Sequence, residues 1–312
     1  MMQHAPFSPS ASERWVACHG SFGLSLQLPD APPSIYADDG TRKHDVAAML
    51  LRRDPGVYDA TDATEVAPYV KHCLSLQERA LKSGIEEWQD HSAVLFGTPD
   101  FWCVTRDNER RDLTLHVIDL KTGSGIKVSP IKNPQLMTYA YMLMLREVLG
   151  LKEVTLTIVQ PPFSPDPVSW TCTVAEIMDW GVQVEKAIEA ALSGSREFTA
   201  GDHCRWCKAK PICPELRGMA LSTPEASLVH AMAPVDIAGW LNKADTLAVF
   251  LEAIRTTGHA MASLGVTIPG WILKPKRATR QWADDLVVLE IARRRKIKIW
   301  QDKMLSPAMA EK

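Results

Sequence analysis

The sequence predicts a mixed α/β fold, a sheet flanked by helices, followed by a cysteine-rich stretch and a helical C-terminal extension. Three observations predict it. Runs rich in Val, Thr, Phe and Leu occupy residues 93–96, 100–105 and 113–120, with DNERRD between the last two reading as a hairpin turn. Helical periodicity covers residues 39–51 and 66–82 before these runs and 134–149 after them, where Gly150 supplies a stop. A further strand at 154–160 is stopped by Pro161-Pro162, a short one is expected at 170–174, and an amphipathic helix follows at 174–192. Helix, three strands, helix, strand is the order of a mixed sheet covered by helices.

The flanks read as follows. Residues 10–18 suit a short helix, with Ser10 and Glu13 as an S-x-x-E capping box and Gly20 as its stop. A Pro-rich loop (LPDAPPS) leads into the core. Residues 224–265 read as mostly helical, and two basic runs follow, KPKR at 274–277 and RRRKIK at 293–298. The expected divisions are an N-terminal segment (1–38), a core (39–200), a cysteine-rich region (201–220) and a basic, helical extension (221–312).

Composition sets broad limits. With 312 residues, 46% hydrophobic and 23% charged, the chain is long enough for one large domain or two modest ones. A net charge of −2 argues mildly against nucleic acid as a partner of the whole surface, but it leaves room for a local basic groove. The first residues lack the apolar core of a signal peptide, and no stretch approaches the roughly 18 apolar residues of a membrane span. A cytoplasmic location without membrane association is therefore expected. Seven cysteines, an odd number, in a reducing compartment point away from a disulfide framework and toward metal.

Four features stand in order through the strand-rich middle: Gly40-x-x-x-His44, Gly97-Thr98-Pro99-Asp100, Asp119-Leu120-Lys121 and Gln135-x-x-x-Tyr139. Each alone is weak, since D-x-K occurs by chance at many strand ends. Together they are chemically coherent. Hydrolysis of a phosphodiester calls for metal ions that activate water and offset transition-state charge, and hard cations prefer oxygen ligands. A hairpin can bring Asp100, opening one strand, beside Asp119, closing the next. Lys121 lies two residues after Asp119 and so points to the same face, where it could orient the attacking water or stabilise developing charge. His44 could add a ligand. Gln135 and Tyr139, four apart on a helix, could hydrogen-bond the metal site or a DNA backbone.

This set resembles the RecB-like branch of the PD-(D/E)XK nuclease superfamily, and IDLKTGSGIKVSPIKNPQLMTYAY looks like the active-site strand and following helix of that branch. The whole chain resembles a phage and prophage family within it, through SERWVACHGS, IDLKTG, NPQLMTYA, HCRWCKAKPIC, KPKRATRQW and KMLSPAMAEK. The resemblance implies a restriction-endonuclease-like mixed sheet flanked by helices. It implies Mg²⁺ or Mn²⁺ held by His44, Asp100 and Asp119, catalysis by Lys121 and supporting roles for Gln135 and Tyr139. One departure is His19, where such proteins often carry proline after the first cysteine.

Cys204-x-x-Cys207-x5-Cys213 is a strong metal signal by spacing, and Cys18, ending the first helix beside Gly20, is the natural fourth ligand. Cys73, Cys103 and Cys172 fall within expected helix or strands and read as buried packing residues. Four thiolates suit a [4Fe–4S] cluster or Zn²⁺, with His203 or His19 as a rival zinc ligand. One distant cysteine before the nuclease motifs and three close ones after them resembles the iron–sulfur nucleases of CRISPR adaptation and of AddB type, which implies the cluster. Trp15, Trp206 and Trp282 lie near basic residues and could stack on unpaired bases, although tryptophans more often pack in cores.

The expected function is metal-dependent DNA hydrolysis, as an exonuclease in phage replication or recombination, acting on single- or double-stranded DNA, with a phage single-strand-binding or annealing protein as the candidate protein partner. Two rivals are a catalytically silent DNA-binding protein of the same fold and a zinc-stabilised interaction module for a recombination partner.

Overall fold

A computed structural model gives the fold; it describes residues 5–29, 35–107, 109, 111–146, 150–223, 232–274, 288, 291, 294 and 295. The chain falls into two compact units, Met1–Ile254 and Arg255–Lys312. The first holds a five-stranded sheet built from β1 (Ala80–Ile85), β4 (Phe101–Arg106), β5 (Leu113–Leu120), β6 (Leu151–Val159) and β7 (Val168–Thr173), in that spatial order. All neighbours are antiparallel except β5 and β6, which run parallel. A parallel pair needs a crossover, and α5 (Pro134–Arg146) supplies it. A separate two-stranded ribbon joins β2 (Gln89–Asp90) to β3 (Phe96–Gly97).

Alternate strand residues feed two opposite layers, as the period of two requires. Trp102, Val104, Leu115, Val117, Leu156 and Ile158 pack with α5, with α6 (Val174–Leu192) and with α1 (Ser12–Ala17), whose Trp15 is fully buried. Phe101, Cys103, Ile118, Leu120 and Val159 pack with α3 (Ile35–Arg52) and α4 (Ala60–Gln77) through Val46, Leu51, Val66, Tyr69 and Cys73. The expectation of a mixed α/β sheet flanked by helices is met. Cys73, Cys103 and Cys172 are buried in packing as expected.

Several local expectations are corrected. Ser10 does not cap the first helix with Glu13. A 3₁₀ turn over Pro9–Ala11 leads into α1, whose N-cap is Ala11 with no side-chain bond. Gly20 opens α2 (Gly20–Ser25) instead of stopping α1; the break is the extended Cys18. Gly20 is there for proximity, because a Cβ would stand 2.7 Å from the Phe198 ring and 2.9 Å from the Glu197 carbonyl. The helix expected at 66–82 starts earlier, where the Asp59 carboxylate caps the amides of Thr61 and Asp62, and ends at Gln77. The residues after it extend as β1, whose pairing with β4 overrides their helical pattern. Of the strand expected at 93–96 only Phe96 is paired, together with Gly97 just beyond it.

The helix expected at 174–192 is held by a full capping box of Thr173 and Glu176. Of the helical stretch expected at 224–265, residues 224–231 lie outside the described residues and α8 (Pro234–Ser263) accounts for most of the rest; α7 (Pro214–Leu221) precedes it, at the end of the cysteine-rich region. Residues 275–277, Trp282, Arg293 and residues 296–298 of the basic features lie outside the described residues. No described helix is long and apolar enough to cross a membrane.

Candidate active site

The first two strands of the motif set end at one place. Phe101 of β4 pairs with Ile118 of β5, so Asp100, just before β4, reaches the residues that close β5. The backbone N–H of Leu120 donates to Asp100 Oδ2 at 2.7 Å, which fixes that carboxylate beside Asp119. Asp119 is buried, with 3% of its surface exposed. Its Oδ1 accepts from Gln135 Nε2 at 2.7 Å and from Lys121 Nζ at 3.2 Å, while Lys121 Nζ also donates to Gln135 Oε1 at 2.9 Å. Asp119, Lys121 and Gln135 thus close a ring between the end of β5 and the first turn of α5. Lys121 Nζ also lies 2.9 Å from Asp119 Oδ2, but not in hydrogen-bonding direction, and Oδ2 is buried without a hydrogen-bond partner.

His44 enters from α3. Its Nδ1 stands 3.4 Å from Asp100 Oδ1 and 3.7 Å from Glu86 Oε1. Among the described residues, His44, Glu86 and Asp100 form the one set of three or more His, Cys, Asp or Glu groups whose ligand atoms lie within 4.8 Å of one another. The angle of α3 is fixed by Arg42, whose Nε and Nη2 donate to the two oxygens of buried Asp62 on α4 at 2.6 and 3.2 Å. Tyr139 does not meet the carboxylates directly. Its hydroxyl donates to the Thr98 carbonyl at 3.0 Å, holding the turn that delivers Asp100. Gly97 makes room for it, since a Cβ there would lie 3.1 Å from that hydroxyl.

Charge and burial act together here. Burial alone would lower the pKa of His44, but the Asp100 and Glu86 carboxylates outweigh it and hold the imidazole up at about 10. Burial raises Asp119, with Lys121 opposing and Asp100 reinforcing the rise. Burial and neighbouring Asp100 likewise raise Glu86, against the lowering contact with His44. For Lys121, burial is outweighed by Asp119, and its pKa rises. The donor set, one imidazole with carboxylate oxygens, suits a hard divalent cation.

The structure therefore brings His44, Asp100, Asp119, Lys121 and Gln135 to one sheet end, and places Tyr139 behind them. Sequence reasoning missed Glu86. Its signal was faint: the acidic pair Glu86-Glu87 follows a strand that the helical pattern concealed.

The four cysteines also converge. Cys18, Cys204, Cys207 and Cys213 are buried free thiols lining one closed cavity with His203 and Leu216. The Thr199 amide points to Cys18 Sγ at 3.4 Å, and the Gly20 amide donates to the Glu197 carbonyl at 2.9 Å, so the N-terminal segment is tied to the chain that follows α6. His203 is held up at about 10, first by Cys18 and then by Cys204, and its Nε2 meets the Thr199 carbonyl at 2.9 Å. His19 faces Glu197 at 3.4 Å and is not among the cavity residues. Trp15 is removed from the exposed stacking residues: its Nε1 donates to the Ser8 carbonyl at 3.0 Å and its ring meets Phe7 edge-on. Trp206 is 72% exposed.

Fold and site define a mixed α/β protein with an acidic, histidine-bearing centre at one sheet end and a four-thiol cavity. The family model described as protein of unknown function (DUF2800) matches residues 4–90 and 82–312, and the chain belongs to that family. It is similar to a solved structure from Eubacterium rectale described as a candidate exonuclease, at 10% identity over 71% of this chain and 91% of that one, with a TM-score of 0.38. It is also similar to an alkaline exonuclease from Laribacter hongkongensis, at 13% identity over 58% and 93% of the two chains, with a TM-score of 0.27.

One consequence is measurable without ligand. The raised pKa of His44 contributes stability that is fully present below its ordinary value of about 6.5 and is lost as pH rises through about 10. The melting temperature of the metal-free wild type is therefore expected to fall more steeply between about pH 7 and 10 than that of His44→Gln. Parallel profiles would show that the two carboxylates do not hold the His44 proton.

Proposed function

We propose that this chain is a Mg²⁺- or Mn²⁺-dependent deoxyribonuclease, acting as an exonuclease in phage DNA replication or recombination in a bacterial cytoplasm. The observation that carries the reading is the ring of Asp119, Lys121 and Gln135 set beside Asp100 and His44. His44, Asp100 and Asp119 would hold the metal. The buried Oδ2 of Asp119 supports the fit: it accepts no hydrogen bond, and the cation beside it, the Lys121 ammonium at 2.9 Å, is shared with Oδ1 and Gln135.

When bound, the ion lowers the pKa of a water and offsets negative charge on the phosphate. The residues do the rest. The water oxygen forms a bond to phosphorus while the bond from phosphorus to the leaving sugar oxygen breaks; the attacking water gives its proton to solvent and the leaving oxygen takes one from solvent. The Lys121 ammonium stabilises the charge that develops on the phosphoryl oxygens. Gln135 orients both Lys121 and Asp119 through its two amide atoms. Tyr139 keeps Asp100 in place by anchoring Thr98. DNA, single- or double-stranded, is the substrate class, and a phage single-strand-binding or annealing protein is the partner class that such a role calls for.

The test is digestion of end-labelled single- and double-stranded DNA with Mg²⁺ and Mn²⁺ compared. Asp119→Ala is expected to abolish cleavage without unfolding the chain. Lys121→Ala is expected to lose roughly 10²–10³-fold in turnover while still binding Mn²⁺. Wild-type rates from both variants would refute the active-site assignment, and an inert wild type would favour a silent DNA-binding protein.

For the four-thiol cavity the proposed occupant is a [4Fe–4S] cluster, with Zn²⁺ as the alternative. The split arrangement, one distant cysteine before the nuclease motifs and three close ones after them, supports the cluster through its resemblance to the iron–sulfur nucleases. Cys18 lies far in sequence from the other three, so ligation would close a very long loop around the core and convert binding energy into folding energy. The protein purified without air is expected to be brown and to carry about four irons. Cys18→Ala is expected to expose the N-terminal segment to protease, whereas Cys73→Ala leaves the cluster intact. A colourless preparation with one zinc would exclude iron–sulfur, and unchanged protease resistance of Cys18→Ala would exclude Cys18 as a ligand.

A further inference from the structure

On the nuclease reading above, on which this rests, we infer that Gln160 is a positioning residue for substrate. It pins the loop between β5 and α5 so that the glycine-bearing tip of that loop, residues 125–127, contacts the sugar–phosphate backbone of the bound DNA strand.

Gln160 follows β6 directly and is buried, with 7% of its surface exposed. Its whole side chain serves one loop. Nε2 donates to the Gly123 carbonyl at 2.8 Å and to the Ile126 carbonyl at 2.7 Å, while Oε1 accepts from the Val128 amide at 2.9 Å. A buried amide whose donors and acceptor are all satisfied by one segment holds that segment in one shape. The loop leaves the sheet at Lys121, whose amide donates to the Val159 carbonyl at 2.9 Å. It re-enters regular structure beside Asn133, whose side-chain oxygen accepts from the Leu136 amide at 3.1 Å. It therefore joins Lys121 to Gln135, the two hydrogen-bond partners of Asp119.

Residues 123–127 are exposed, Ile126 among them. The fold does not account for the glycines. Gly123 and Gly125 are not in the left-handed region, and a Cβ on either would meet nothing within 4 Å. What glycine still offers there is close approach of the backbone to a ligand. The amides of residues 123–127 donate to no acceptor among the described residues, and Lys127 adds an ammonium. Backbone amides and lysine are the donors that hold phosphate oxygens and set the register of a nucleic acid. The groove lined by Thr122, Gly123 and Ser124 is less suited to phosphate. Lys43 there is held by Asp39 at 2.6 Å and by Glu65 at 2.8 Å, two acids against one cation. The tip beyond it is the part that meets the strand. The simpler account is that Gln160 serves only the fold, by closing an exposed loop. A purely structural Gln160 contributes stability and leaves the affinity for DNA unchanged.

Two measurements on the full chain separate the accounts: anisotropy of a labelled oligonucleotide with Ca²⁺ in place of Mn²⁺, and steady-state cleavage with Mn²⁺. Gln160→Ala is expected to raise Kd and KM for DNA by about 10-fold, with kcat within about threefold of wild type. Lys127→Ala, which shortens an exposed side chain, is expected to raise Kd and to lower the salt slope of binding by about one. It decides the matter if Gln160→Ala does not fold. Thr157→Val is the control for stability, since it loses a buried bond to Ser169 at 2.9 Å on the same strand as Gln160, and it is expected to keep the wild-type Kd. If Gln160→Ala melts lower but keeps the wild-type Kd and KM, its role is structural and the inference is overturned. A loss of kcat at unchanged KM would overturn it too, by showing that Gln160 acts on Lys121 and not on the strand. So would an unchanged salt slope in Lys127→Ala, or a Kd raised equally by Thr157→Val. In each of these cases a wild type that cuts DNA leaves the nuclease reading standing. A wild type that neither binds nor cuts DNA overturns both.

Discussion

Burying an ionised carboxylate at the end of a strand costs several kcal/mol unless opposite charge and hydrogen bonds compensate. At Asp119 the compensation comes from two residues that belong to different elements. Lys121 follows it on the same strand face, and Gln135 opens the crossover helix α5. The ring they close with Asp119 sets the distance between β5 and α5, and α5 in turn makes the parallel β5–β6 pair possible. Tyr139, one turn further along α5, then fixes Thr98 and hence the arrival of Asp100. Much of the site geometry is thus a consequence of one buried charge. The hydrogen bonding is one-sided: Oδ1 accepts from both Gln135 and Lys121, whereas Oδ2 accepts none and has only the charge of the Lys121 ammonium at 2.9 Å.

The second constraint is topological. The sheet leaves its two flanking segments far apart in sequence, and the protein brings them together beside α6. Gly20 permits the approach, since any side chain there would strike Phe198 and the Glu197 carbonyl. Cys18 is delivered to the same cavity as the three later cysteines, with His203 between it and Cys204. The candidate active site lies in the stretch of chain between these ends, so whatever occupies the thiol cavity also secures the helices that frame the core.

How much was legible in the sequence depended on the range of the forces involved. The apolar runs at 100–105 and 113–120 were visible because each strand is buried on both faces by many apolar neighbours. The Asp119–Lys121 relation was visible because it is local to one strand, and Gln135–Tyr139 because it is local to one helix. Edge strand β1 was not: ALKSGI carries little β-branching, and only its pairing with β4 makes it extended. With β1 hidden, Glu86 was hidden too, since its place in the site comes from cross-strand register and not from a motif. The capping box at Ser10 failed for a similar reason, because Pro9 starts a 3₁₀ turn and the helix proper begins two residues later. The cysteine spacing was legible, whereas the role of Gly20 as a point of contact required the partner segment at 197–198.

The proposed divalent cation would sit at the end of β5 among His44, Asp100 and Asp119. Crystals soaked in Mn²⁺ and measured at a wavelength where manganese scatters anomalously test it directly. The account predicts one strong anomalous peak at bonding distance from oxygens of Asp100 and Asp119 and from a His44 nitrogen, with Asp119 Oδ2 turned to the ion and Lys121 still joined to Gln135. A map without a peak there, or with manganese bound only elsewhere on the chain, would contradict it.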